Sequence, residues 1–83
     1  MSRAEIFEKL KEILVSADEK NKDKVDSFTE SSELAADLGL NSIGILYIVI
    51  AIEETFSVRF DDASMSDFRT IGDTIDYIEK MIS

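Results

Sequence analysis

Apolar residues recur at helical spacing near both ends of the chain, behind residues that are suited to cap a helix. The first stripe follows Ser2 and Glu5, which have the spacing of a capping box. Its members recur every three or four positions: Ile6, Phe7, Leu10, Ile13 and Leu14. The last stripe follows Thr70 and steps by four, three and four: Ile71, Ile75, Ile78 and Ile82. This periodicity predicts a first and a last amphipathic helix.

The middle of the chain, DLGLNSIGILYIVIAIEE, passes from a polar turn ending at Ser42 into its most apolar segment. The run from Ile43 to Ile52 is about half of what a membrane span needs, so we expect a helix without membrane insertion. At about 100° per residue, one side of this helix collects the predicted core stripe: Ile45, Ile48, Val49, Ile52 and Phe56. The opposite side collects Ser42, Ile43, Leu46, Tyr47, Ile50, Glu53 and Glu54. Four apolar side chains would therefore be exposed, unless the preceding loop covers them.

The remaining segments predict one long loop and one short helix. The polar stretch DEKNKDKVDSFTESSE has apolar anchors in and just after it, at Val25, Phe28, Leu34 and Leu38, and residues 34–38 could form one helical turn. Farther on, Asp61 or Asp62 could cap a short third helix. Four apolar residues would pack beneath it: Phe56, Val58, Phe60 and Phe68. The fold prediction is a small all-α four-helix bundle, with three longer helices and a long first loop, forming a single domain over residues 1–83.

Composition excludes several classes of chemistry. The chain has no His and no Cys, so the commonest general base and the usual zinc ligands are missing. Without a histidine or a G-x-S-x-G motif, Ser42 is not expected to be a hydrolase nucleophile. The acid-rich loop is not a calcium loop, because Lys20 and Lys22 occupy positions that need oxygen ligands. We expect neither a catalytic residue nor a metal site.

The net charge of −9 is unevenly distributed along the chain. Residues 1–24 hold six acids and six bases, whereas residues 25–83 hold twelve acids and only three bases. Nucleic acid is therefore an improbable partner, while basic protein surfaces would be attracted. The amino terminus lacks a cationic start followed by an apolar core, so we expect a cytoplasmic protein. We also expect a monomer.

The segment Asp37-Leu38-Gly39-Leu40-Asn41-Ser42-Ile43 resembles the attachment motif D-L-G-x-[D/N]-S-[L/I] of the acyl carrier protein family. An apolar helix follows and closes with A-I-E-E-x-F, here residues 51–56. The resemblance covers essentially the whole chain, including the last helix, TIGDTIDYI. Together, the serine motif, the helix, the acidic balance and the chain length are far more specific than the serine alone.

This resemblance implies a non-catalytic carrier. A phosphopantetheinyl transferase would esterify Ser42 with 4′-phosphopantetheine donated by coenzyme A, and the thiol of the arm would hold the cargo as a thioester. The implied attachment motif comprises Asp37, Gly39, Asn41, Ser42 and Ile43. The implied partners are the transferase and acyl-loading, condensing and tailoring enzymes with basic or apolar docking patches. For docking we predict Ile43, Leu46, Tyr47 and Ile50 as the apolar centre, with Glu53 and Glu54 as a charged rim.

Three residues depart from the pattern common in fatty-acid carriers. Asn41 replaces the usual Asp before the serine, and Gly44 and Tyr47 stand where acids are common. A specialised carrier of a polyketide, lipid-tailoring or aminoacyl pathway is therefore favoured over a housekeeping one. Acyl cargo is preferred, and aminoacyl, peptidyl or D-alanyl cargo is the alternative. A helical adaptor without any arm is a third hypothesis, of a different class.

Overall fold

Three α-helices make up the framework of the computed structural model, which describes residues 2–60 and 68–82. Helix α1 spans Arg3–Ala17, α2 spans Ser42–Phe56 and α3 spans Ile71–Ile82. Two short 3₁₀ turns, Glu19–Asp23 and Val25–Ser27, lie between α1 and α2. The all-α prediction is confirmed for the described residues. The predicted short helix capped by Asp61 or Asp62 lies outside them, so the count of four helices stays a prediction.

The caps predicted at the two ends of the chain are confirmed. The Ser2 hydroxyl accepts a hydrogen bond from the Glu5 amide at 3.2 Å, and the Glu5 carboxylate accepts one from the Ser2 amide at 3.1 Å. The bond from the Ser2 amide lowers the pKa of Glu5, because it favours the ionised carboxylate. At the other end, Thr70 Oγ1 accepts from the Asp73 amide at 3.0 Å. Each cap satisfies an amide that has no partner inside its helix.

All three helices bury their apolar stripes in one core. The buried members are Ile6, Leu10, Ile13 and Leu14 from α1, Ile45, Ile48 and Ile52 from α2, and Ile71, Ile75 and Ile78 from α3. Among the residues predicted for these stripes, Phe7, Val49 and Phe56 are only half-buried, and Ile82 is exposed. Those four residues flank the stripes or end a helix, where fewer neighbours are within reach. The helical period therefore predicts which residues form the centre of the core, but not which residues lie at its margin.

The long loop is held to the core by both apolar and polar groups. Phe28, Leu34 and Leu38 are buried as predicted, and Val25 is half-buried. Asn21 is 1% exposed, and its Nδ2 donates to the backbone oxygen of Leu14 at 3.0 Å. A buried amide without such a partner would be costly. The loop is therefore an ordered part of the fold.

The second half of the loop pairs with the beginning of α3. The amides of Ile71 and Gly72 donate to the backbone oxygens of Ser32 and Glu30, at 2.9 and 2.8 Å. A side chain on Gly72 would bring Cβ to 2.9 Å from the Glu30 oxygen, so only glycine fits this approach. Among the described residues, Glu33 and Thr70 also form one isolated antiparallel β-bridge. This pairing fixes the loop just before it turns towards α2.

Candidate functional site

A tight turn delivers the chain from the loop to the start of α2. The backbone oxygen of Glu33 accepts from the amides of Asp37 and Leu38 at 2.9 and 3.1 Å, which forms the predicted helical turn. The Asp37 carboxylate accepts from the Glu33 amide at 2.7 Å. Asp37, a predicted motif residue, therefore stabilises the turn. The sequence motif did not reveal this role, because an aspartate can cap several different local geometries.

The end of that turn needs a left-handed residue. Gly39 has φ = +73°, a conformation that residues with a side chain rarely adopt. On either side of it, Leu38 and Leu40 are buried, and the Leu40 amide donates to the Leu34 oxygen at 3.1 Å. The two leucines therefore anchor the turn, and Gly39 lets the chain reverse between them. The next two residues, Asn41 and Ser42, emerge at the surface.

Ser42 is the first residue of α2 and is exposed to solvent. The N-cap is Asn41, whose Oδ1 accepts from the Gly44 amide at 2.8 Å. The first amide that bonds within the helix is that of Ile45, which donates to the Asn41 oxygen at 2.9 Å. The amides of Ser42 and Ile43 therefore have no acceptor inside α2 and lie at the positive end of the helix dipole. A phosphate ester on Ser42 would lie beside these amides, which is a favourable position for an anion.

The outward face of α2 is apolar and uncovered in the structure. Ile43 is 76% exposed, Leu46 58%, Tyr47 49% and Ile50 48%. The predicted division of α2 into two sides is confirmed, and the alternative that the first loop covers this face is wrong. The loop packs instead on the core and on α3. No acidic residue lies in the first turn of α2.

The two predicted rim acids have different surroundings. Glu54 is exposed, whereas Glu53 is half-buried and its Oε2 accepts from the Phe60 amide at 2.9 Å. Glu53 therefore holds the segment that follows α2. Sequence reasoning missed this contact, because the two residues are seven positions apart and joined by irregular backbone. Of the two acids, Glu54 is the better placed to meet another molecule.

Within residues 2–60 and 68–82, no group of three or more acidic, histidine or cysteine side chains is placed to hold a metal ion. Within the same part of the chain, no helix has the length and apolarity to cross a membrane.

The comparisons with known proteins agree with the attachment motif. The family described as "Phosphopantetheine attachment site" matches residues 8–78. An acyl carrier protein of Thermotoga maritima is 38% identical over 81 residues, covering 98% of this chain and 96% of the relative. Acyl carrier proteins of Clostridium perfringens and Lactobacillus acidophilus are each 34% identical, covering 88% and 95% of this chain and 92% and 95% of the relatives. The chain therefore belongs to the acyl carrier protein family, whose members are non-catalytic carriers with a 4′-phosphopantetheine prosthetic group.

Proposed function

We propose that Ser42 carries the 4′-phosphopantetheine arm and that this chain presents thioester-bound acyl groups to the enzymes of fatty-acid, polyketide or related lipid biosynthesis. The observation that carries the proposal is the exposed Ser42 at the first position of α2, inside the matched family region. A phosphopantetheinyl transferase supplies the catalysis and coenzyme A supplies the arm. The chain needs no cysteine, because the thiol belongs to the arm.

The residues around Ser42 have distinct tasks in this scheme. Asn41 caps the beginning of α2 through its bond from the Gly44 amide, so the Ser42 hydroxyl is not needed as the helix cap. The amides of Ser42 and Ile43 stabilise the phosphate. Asp37 and Gly39 shape the preceding turn, which presents the serine to the transferase. None of these residues acts as an acid or a base in this scheme.

Intact mass after incubation with coenzyme A and a promiscuous phosphopantetheinyl transferase tests the attachment site. We expect one arm per chain in the wild type and in Ser16→Ala, which removes an exposed hydroxyl from α1. Ser42→Ala should remain unmodified and should melt close to the wild type, because Asn41 provides the cap. Arm addition to Ser42→Ala would show that another residue is the site, and failure of the wild type would support the adaptor hypothesis.

Acyl cargo is proposed over aminoacyl, peptidyl or D-alanyl cargo. The relatives are acyl carrier proteins, which supports acyl cargo, and so does the acidic balance. Gly44 and Tyr47 support a specialised pathway, since acids are common at these positions in fatty-acid carriers. Loading assays with acyl and aminoacyl donors separate the two kinds of cargo. We further propose that the protein is a cytoplasmic monomer. We also propose that a short helix between α2 and α3 completes a four-helix bundle.

Partner enzymes are proposed to dock on the outward face of α2. Its apolar centre consists of Ile43, Leu46, Tyr47 and Ile50, and its rim of Glu53 and Glu54. Interface energy concentrates in central aromatic and apolar anchors, while rim charges mainly tune association. Tyr47→Ala should weaken transferase binding by about 1–2 kcal/mol and barely change the melting temperature. Early melting with unchanged binding would instead make Tyr47 a structural residue.

A further inference from the structure

An open polar pocket of about 320 Å³, here called the loop pocket, lies in the long loop between α1 and α2. Its lining includes the side chains of Lys24, Phe28, Thr29, Ser31, Ser32 and Asp37. These residues all precede α2, so the loop pocket is separate from the outward face of that helix. Asp37 belongs to the turn that leads to Ser42, and the loop pocket therefore borders the attachment motif.

Backbone and hydroxyl contacts fix the wall of the loop pocket. The Thr29 amide donates to Ser32 Oγ at 3.0 Å, and the Ser31 amide donates to Thr29 Oγ1 at 3.2 Å. The backbone oxygen of Ser32 accepts from the Ile71 amide, at the start of α3, at 2.9 Å. Phe28, which provides the apolar part of the lining, is anchored in the core. The loop pocket is therefore formed in the folded chain before any ligand binds.

Several polar groups of the loop pocket retain unused hydrogen-bonding capacity. Among the described residues, Lys24 Nζ and the Ser31 hydroxyl have no hydrogen-bond or ion-pair partner. The Thr29 and Ser32 hydroxyls each accept one bond, and within the same residues their hydrogens have no acceptor. Asp37 accepts through Oδ2 alone, which leaves Oδ1 for another donor. The loop pocket thus offers several donors and one carboxylate oxygen.

These groups suit a neutral ligand that both donates and accepts hydrogen bonds. One cation, Lys24, and one carboxylate, Asp37, line the loop pocket, so their charges cancel and neither an anion nor a cation is favoured. Hydroxyl and ammonium hydrogens bond to carbonyl oxygens, and a carboxylate oxygen bonds to an N–H group. Amide groups supply both, and the edge of Phe28 suits aliphatic links between them.

The 4′-phosphopantetheine arm on Ser42 has this chemistry. Between its phosphate and its thiol lie two amide groups, one hydroxyl and short aliphatic links, all of them uncharged. The arm is about as long as an extended peptide of four to five residues, about 15 Å. Asp37 is five residues before Ser42, and the reversal of the chain at Gly39 shortens the distance between them. The loop pocket is therefore within reach of the amide groups of the arm.

Resting on the function proposed above, we propose that the loop pocket holds the amide groups of the arm while no partner enzyme is bound. Lys24 and Ser31 donate to carbonyl oxygens of the arm, and Asp37 accepts from an amide N–H. The thiol is two carbons beyond the second amide, so it is shielded by the loop. The apolar face of α2 stays uncovered, and a partner docks there before the arm leaves the loop pocket.

Amide NMR spectra of the chain without and with the arm test where the arm lies. Intact mass first shows whether a promiscuous phosphopantetheinyl transferase and coenzyme A have added it. We expect arm addition to shift resonances next to Ser42 and also those of residues 24–32 and Asp37. Shifts confined to residues 40–46, or continuing along α2 to Ile50, would overturn the proposal. A wild type that gains no mass would instead overturn the proposed function, so the two failures are distinguishable.

The reaction of the arm thiol with N-ethylmaleimide tests the individual contacts. The chain has no cysteine, so the thiol of the arm is the only one present. Lys24→Met and Ser31→Ala each remove a donor from the loop pocket, and neither side chain bonds within the loop. We expect each substitution to raise the rate constant about two- to threefold, because a more weakly bound arm exposes its thiol more often.

Lys22→Met and Ser16→Ala are the matched controls, because they make the same substitutions at exposed residues outside the loop pocket. Both should react at the rate of the wild type. An equal rise in Lys24→Met and Lys22→Met would assign the effect to the long-range influence of charge on the thiol and overturn the proposal. Unchanged rates in Lys24→Met and Ser31→Ala would also overturn it. Thermal melts of the variants separate these results from altered folding.

Discussion

At the scale of single residues, roles that depend on near neighbours were predictable from the sequence. Ser2, Glu5 and Thr70 bond partners three positions away, and this spacing is visible in the sequence. For Glu53 the sequence predicts only a place on the docking rim, whereas its carboxylate also accepts a hydrogen bond from the Phe60 amide. That contact depends on how the chain turns after α2, and no local pattern specifies the turn.

Ser57 provides a residue-scale prediction, because it adopts a conformation that glycine prefers. Its backbone is left-handed, with φ = 56°, and the Val58 amide donates to the Glu53 oxygen, which is a Schellman-type helix end where glycine is the usual residue. We expect Ser57→Gly to raise the free energy of unfolding by about 0.5–1 kcal/mol, as measured by urea denaturation. Ser16→Gly makes the same change within α1 and should lower it by about 0.5 kcal/mol. A destabilised Ser57→Gly would mean that the hydroxyl makes a stabilising contact.

At the scale of elements, the sequence predicted α1, α2 and α3 because each buries a stripe with the helical period. The two sides of α2 followed from the same geometry, since successive side chains rotate by a fixed angle. The 3₁₀ turns between residues 19 and 27 were not predicted. They are short, and polar residues such as Lys20 and Lys22 show no apolar period. Their positions depend on contacts with α1, such as the bond from Asn21 to Leu14.

Two isoleucines of α2 test this division with the same substitution. Ile52 is fully buried and Ile50 is 48% exposed, although they are only two residues apart. Ile52→Ala should lower the free energy of unfolding by about 2–5 kcal/mol, through lost burial and a cavity. Ile50→Ala should change it by less than about 0.5 kcal/mol, because little apolar surface leaves the core. Chemical denaturation measures both values, and similar losses in the two variants would contradict the exposed face.

At the scale of the whole molecule, one arginine connects three parts of the chain. Arg3 Nη2 lies 2.5 Å from Glu30 Oε1 in the loop, and Nη1 lies 2.8 Å from Asp76 Oδ1 in α3. Glu79, also in α3, completes the group of carboxylates. These partners are 27 to 76 residues from Arg3, so sequence patterns could not predict them. The overall arrangement of the loop depends on such long-range pairs.

This arrangement predicts a specific dependence of stability on pH. The hydrogen bonds from Arg3 lower the pKa of Glu30, because they favour its ionised form. The resulting stabilisation is therefore complete above the ordinary glutamate pKa of about 4.3 and is lost as the pH falls through the lowered value. Arg3→Met should lower the free energy of unfolding at pH 7 by about 1 kcal/mol, since solvent screens this partly exposed pair. Its loss of stability between about pH 5 and 3 should be shallower than that of the wild type.

Urea denaturation at a series of pH values measures this difference. Arg69→Met is the control, because its pairs with Glu33 and Asp73 are longer, at 3.4 and 3.9 Å, and its side chain is 64% exposed. We expect that control to keep the acid dependence of the wild type. Glu5 also has a lowered pKa, but it contributes equally to all three proteins. Identical acid profiles for the wild type and Arg3→Met would show that Glu30 is not stabilised by this pair.

The acidic balance of the whole chain predicts a response to salt. Eighteen acids oppose nine bases, and residues 25–83 hold twelve acids against three bases. Repulsion among these carboxylates is stronger in the folded state, where they are closer together, and salt screens it over about 10 Å at 0.1 M. Salt also weakens the ion pairs of Arg3, but these close contacts are screened less than the longer-range repulsion. We therefore expect Tm to rise by several degrees between about 10 mM and 0.3 M NaCl, as followed by circular dichroism. Near pH 4 the rise should shrink, because protonated carboxyl groups no longer repel one another. A flat or falling Tm at pH 7 would show that the bases already compensate the acids in the folded chain.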